Sequence, residues 1–144
     1  MEVKFSVQDI RLTETHFKLN TNFPFDKDES ALIATSIRVG YEVKDKIVEV
    51  ALYVNSDSDN QPFIFSIVYR GRFRFQKVPP REKLEKIAHI NCAAIIFPYI
   101  RETIAGLTGR AGLLPFHPDM INFVAQYERI IKERKKPKVL KAKK

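Results

Sequence analysis

Apolar and polar residues alternate along the first half of the chain, and apolar residues recur at helical spacing along the second. Val3, Phe5 and Val7 share one parity, Ile10 and Leu12 the other, and Phe17 and Leu19 carry the stretch on. A two-residue period that changes parity near Asp9-Ile10 predicts a strand interrupted by a bulge. Ile33, Ile37, Val39 and Tyr41 predict a second strand, and Val48, Val50, Leu52 and Val54 a third, joined as a hairpin through Lys44-Asp45-Lys46. Beyond the polar loop 56–60, residues Phe63 to Tyr69 are apolar on both parities and lead into Arg70-Gly71-Arg72-Phe73-Arg74-Phe75. A strand apolar on both faces needs cover on both, which predicts burial against a second copy of the chain.

Pro79-Pro80 closes the strand region, and from Arg81 the period becomes helical, with Leu84, Ile87 and Ala88 at i, i+3, i+4. Asn91 is expected to cap a second helical stretch reaching Ala105, with Pro98 either kinking it or marking its true start. Gly106, Gly109 and Gly112 are expected to end that helix, and Pro115 and Pro118 to keep the next connection irregular. A last helix is predicted from about Asp119 to Lys132, with Phe123, Tyr127 and Ile130 on one stripe. Four strands followed by two or three helices is an α+β order with an antiparallel sheet.

At 144 residues the chain fits one domain, read as residues 1–131, followed by a basic segment 132–144 expected to be disordered. Its formal charge is +8, from 25 basic and 17 acidic side chains. The last 13 residues hold eight of the former and one of the latter, which leaves 17 against 16 in the domain. A near-neutral body argues against a nucleic-acid partner. The tail is either a solvated end or a docking segment for an anionic partner. No apolar run approaches the ~20 residues that span a bilayer, and the N-terminus alternates like a strand. With one cysteine, Cys92, among apolar neighbours, these features predict a cytoplasmic protein whose thiol is a small buried hydrophobe.

Catalytic arrangements find no anchor. His16, His89 and His117 fall in different elements with no i, i+4 pair, so no metal site is expected. Neither a nucleophile elbow nor a phosphate loop is present, so neither an enzyme nor a cofactor is expected. Gly106-Leu107-Thr108-Gly109 has the form of a nucleic-acid clamp, but the prolines that follow block the helix such a clamp requires, and a helix end with a tight turn explains it equally. Arg70, Arg72 and Arg74, alternating with Phe73 and Phe75, fit an edge strand, a peptide groove or a nucleic-acid surface.

Phe97-Pro98-Tyr99-Ile100-Arg101-Glu102, then Gly109-Arg110-Ala111-Gly112, then Pro118-Asp119-Met120-Ile121-Asn122-Phe123 resemble the helical half of the SecB export chaperones. The strands agree in order and length, so the resemblance spans about residues 3–131. It implies a four-stranded antiparallel sheet with helices on one side, assembled as a dimer of dimers. It also implies holding of unfolded, export-competent chains in apolar grooves without ATP, either for export or beside a toxin–antitoxin pair. The groove candidates are Ile33, Ile37 and Val39, Phe73 and Phe75, and Phe123 and Tyr127; each is also compatible with a plain core role. Replacement of Phe75 by Asp is expected to weaken client holding, which requires that ring to be exposed. In relatives that deliver cargo to the motor SecA, acidic side chains on the outer sheet face meet its basic tail. Here Glu14 keeps one acid, whereas Lys18 and Ser66 stand at two others, so binding to SecA is expected to be weak.

Overall fold

The two-residue period becomes four strands, β1 (Phe5–Leu19), β2 (Thr35–Lys44), β3 (Ile47–Ser56) and β4 (Phe63–Phe75), in the computed structural model, which describes residues 2–24, 33–57 and 59–135. All neighbours pair antiparallel, in the order β1-β4-β3-β2. The expected bulge is present: the β1–β4 register shifts between Val7 and Asp9 and again between Leu12 and Glu14. The hairpin turns on Asp45, whose φ of 57° is the left-handed conformation that Asp tolerates well.

The strand carrying Arg70, Arg72 and Arg74 is not an edge. It is the inner half of β4, bonded to β1 on one side and to β3 on the other. Alternation alone cannot tell the two apart, because the position of a strand in its sheet is set by non-local pairing.

The helical half is more continuous than its glycines and proline imply. Helix α1 (Arg81–Ile87) passes without leaving helical φ/ψ through a π-helical turn, Ala88–Cys92, into α2 (Ala93–Arg110). Asn91 is therefore inside the turn and caps nothing, Pro98 lies within α2, and Gly106 and Gly109 are helical. The stop comes at Gly112, whose φ of +84° takes the chain out of the helix. The Gly106–Gly109 segment is thus no clamp: Thr108 is fully buried inside the helix. Helix α3 spans Phe123–Lys135, with the Asn122 side-chain oxygen accepting from the Ala125 N–H at 3.1 Å. The basic segment predicted from residue 132 accordingly begins inside α3, and its remainder, 136–144, lies outside the described residues.

The core lies between one face of the sheet and α2. Val50, Leu52, Phe65 and Ile67 meet Ile96, Phe97, Ile100 and Ile104 in one buried cluster. Gly71 sets the approach of the layers: a Cβ there would sit 2.8 Å from the Phe73 ring and 3.2 Å from Ile96 Cδ1. Phe73 and Phe75 are completely buried, with Phe5 stacked on Phe75 at 5.0 Å and edge-on to Phe73 at 5.7 Å. They are core, so they present no surface to a client. Cys92 is buried as expected, and burial pushes its thiol up to about 12. Among the described residues no helix is long and apolar enough to cross a membrane.

Of the two outward apolar residues of β4 that predicted a subunit contact, Val68 is already covered within the chain and Ile64 is half-buried. Exposed apolar surface lies elsewhere. Val7 and Leu12 on β1 pair with Phe73 and Tyr69, and so face the helix side, yet stay more than 40% exposed at 45% and 44%. Tyr99 is similarly open on α2.

Candidate functional site

β2 ends the sheet, and its helix-facing residues are left incompletely covered. Ile33, just before β2, and Ile37 join Val54, Phe97, Phe116, Pro118, Met120 and Ile121 around a groove of about 490 Å³. Its far wall is the irregular connection 111–122, which is fixed at several points rather than free. Thr108 Oγ1 donates within its own helix and accepts the Phe116 N–H at 2.9 Å, and the Leu113 N–H reaches the Thr108 carbonyl at 3.0 Å. Arg101 Nε donates to the Pro118 carbonyl at 2.6 Å. Phe116 packs on Phe63 at 5.7 Å, and Phe97 meets Phe123 edge-on at 5.7 Å. The result is a rigid apolar cleft with a pliable thioether, Met120, 69% exposed at its rim.

Further along the same strand, Val39, Tyr41 and Val43 border a second cleft of about 690 Å³, closed by Val78, Leu84 and His89. Here α3 folds back on α1. His89 Nδ1 donates to the Glu85 carbonyl at 2.9 Å, its ring lies 5.2 Å from that of Tyr127, and Arg134 pairs with Glu85. Burial and the Glu85 carboxylate raise the Tyr127 phenol, which stays neutral. One edge strand therefore lines two clefts in succession, the first mainly apolar and the second mixed, with Arg81, Glu85 and Arg134 in its wall, a shape suited to an extended peptide.

Of the groove residues expected from sequence, Ile33 and Ile37 meet in the first cleft and Val39 lines the second. Phe123 and Tyr127 are buried between α3 and its neighbours and support the clefts from behind. Phe73 and Phe75 are at the other end of the sheet, under β1.

The opposite face of the sheet is charged. Glu14, Lys18 and Ser66 share it, paired with Val68, Ile64 and His16 respectively. Its centre is an aromatic stack: the Arg38 guanidinium lies 3.9 Å over the Tyr53 ring, and Arg70 donates to the Tyr53 hydroxyl at 3.2 Å and to Thr13 Oγ1 at 2.9 Å. Arg72 holds Asp9 in a bidentate pair, and that hydrogen bond lowers the Asp9 carboxyl.

The family model described as "Preprotein translocase subunit SecB" matches residues 2–134. The chain belongs to the SecB family. It is 30% identical over 130 residues to the protein-export protein SecB of Azoarcus sp., covering 86% of this chain and 85% of that protein. To the SecB of Acidithiobacillus ferrooxidans it is 28% identical over 134 residues, covering 88% and 89%. Its fold is similar to that of a SecB-like chaperone of Mycobacterium tuberculosis in complex with a ChAD peptide from the HigA1 antitoxin. That match has a TM-score of 0.70 at 17% identity, covering 81% of this chain and 90% of the other. SecB proteins are chaperones and not enzymes, and the α+β order read from sequence is the fold of this family.

The lining of the first cleft also includes Phe97, Phe116, Pro118, Met120 and Ile121, which the sequence reading did not single out as groove residues. A signal was present: Leu113, Leu114, Phe116, Met120 and Ile121 are apolar in a segment with neither strand nor helix period, broken by Pro115 and Pro118. Apolar side chains on an irregular, proline-stiffened connection are placed for contact rather than for a helix stripe.

Proposed function

We propose that this SecB-family chain is a cytoplasmic, ATP-independent chaperone that holds unfolded, export-competent polypeptides in the two clefts along β2. The pair of clefts lining one edge strand, one mainly apolar and one of mixed character, is the observation that carries this reading. An extended client places alternate side chains into them and offers its backbone to the outer edge of β2, which pairs with no strand among the described residues. At ~25 cal/mol per Å² each aromatic side chain burying about 100 Å² contributes roughly 2.5 kcal/mol before ordering costs. Affinity then follows apolar area and depends weakly on salt. The purified protein is expected to suppress aggregation of a denatured, unrelated polypeptide without nucleotide. Failure to do so at a several-fold molar excess contradicts the proposal.

The working form is an oligomer, a dimer of dimers on the family pattern, in which Val7, Leu12 and Tyr99 are covered by other subunits. Native mass spectrometry at micromolar concentration tests it, and a stable monomer contradicts it. Delivery to SecA is weak, since Lys18 repels a basic ligand and Ser66 offers it no charge. A second reading, service to a toxin–antitoxin pair, is favoured by the likeness to the mycobacterial chaperone with its antitoxin peptide. Co-purification from its native cells separates the two: many precursors mark export, one dominant antitoxin marks the second.

A further inference from the structure

We propose that the outer face of the sheet is a docking surface for an acidic polypeptide segment. The proposal is independent of the client clefts, which open on the other face.

The register places Arg11 and Lys18 of β1, Arg38 and Lys44 of β2, and Arg70, Arg72 and Arg74 of β4 on this face. Among the described residues, four carboxylates on these strands, Asp9, Glu14, Glu42 and Glu49, stand against the seven cations. The near balance of the domain as a whole thus conceals a basic side. Two carboxylates are already engaged, Asp9 by Arg72 and Arg11 and Glu49 by Arg70. Among the described residues Lys18, Arg38 and Arg74 have no carboxylate within salt-bridge distance.

Arg38 is also held in place. Stacked 3.9 Å from the Tyr53 ring, its guanidinium is oriented by the π face, a contact that leaves the in-plane N–H donors available to a carboxylate. Arg70, on the far side of Tyr53, is tethered by Tyr53 and Thr13. Cations whose side chains are ordered before binding lose less entropy on pairing.

Spacing selects the ligand. Arg70, Arg72 and Arg74, the first two shared with Glu49 and Asp9, repeat every second residue, about 6.8 Å, which is also the repeat of side chains on one side of an extended peptide. The carboxylates interspersed on the face would repel an unbroken polyphosphate, whereas a peptide with acids at alternate positions meets the arginines and passes the carboxylates with neutral residues.

The test uses the full chain and a fluorescein-labelled peptide of about twelve residues alternating Glu and Ser, followed by anisotropy at about 20 and 150 mM salt. Binding is expected at the lower salt, and R38Q/R74Q is expected to weaken it at least about ten-fold with an unchanged melting temperature. If that double variant loses stability, K18E, at an exposed position, must by itself weaken binding about three-fold. Absence of binding at low salt overturns the proposal. So does binding that survives both variants, which assigns it to the basic C-terminal segment. An oligothymidylate of equal charge that binds as tightly as the peptide also overturns it, in favour of a nucleic-acid surface.

Discussion

The two ends of the sheet's helix-facing side are built from the same kind of sequence and end in opposite states. At one end Phe73 and Phe75 alternate with arginines and are sealed by Phe5 of β1. At the other end Ile37 and Val39 alternate with Ser36, Arg38 and Gly40 and stay half-open, Ile37 beside the connection 111–122 and Val39 beside Val78, Leu84 and His89. The difference lies in what covers the strand. A 15-residue β1 runs the length of β4 and delivers an aromatic ring over its end, whereas among the described residues β2 has no further strand beside it and is faced by a proline-stiffened loop and by Leu84 and His89. Apolar alternation marks a face to be covered, and the tertiary partner decides whether that face becomes core or groove.

The largest effect expected to sharpen this contrast is at the sealed end. Phe75→Ala should cost about 3–5 kcal/mol, read from denaturant unfolding, because it empties a fully enclosed ring site. The protein that remains folded should hold clients as before. Loss of client affinity with stability intact would instead place Phe75 in the groove. Gly71→Ala should destabilise by about 1–3 kcal/mol, since the added methyl meets Phe73 and Ile96. At the open end, Ile37→Asp should weaken binding of an unfolded polypeptide about ten-fold, and Met120→Ser about three-fold, with much smaller stability losses.

The smallest effect concerns Cys92. With its thiol raised to about 12, it should resist alkylation at pH 8 until the protein is denatured. Since the folded value lies above the unfolded one, this burial stabilises fully below the unfolded thiol's range. The contribution is lost as pH rises from about 9.0 towards 12, and thermal melts across that range should show falling stability.

The strands, the bulge at Asp9 and the α+β order were legible because each rests on local periodicity. Less legible was the helical half, where Asn91, Pro98, Gly106 and Gly109 are all residues that disfavour helix interiors yet sit in one continuous helical run. Packing of Ile96, Phe97, Ile100 and Ile104 on the sheet outweighs those local preferences. Ile33, Ile37 and Val39 line the clefts, and sequence could not separate them from the buried Phe73 and Phe75, because burial depends on the placement of β1 and of the loop. It also summed the charges of the domain without seeing that the cations gather on one face, a fact that only the strand register reveals.

Hydrogen exchange of the full chain, with and without a permanently unfolded polypeptide, compares the two ends in one measurement. Bound client should slow exchange in residues 35–43 and 111–122 and leave Phe73 to Phe75, already protected, unchanged. Protection absent from β2 and confined to the outer sheet face or to β1 would contradict the assignment of the clefts as the site that holds unfolded chains.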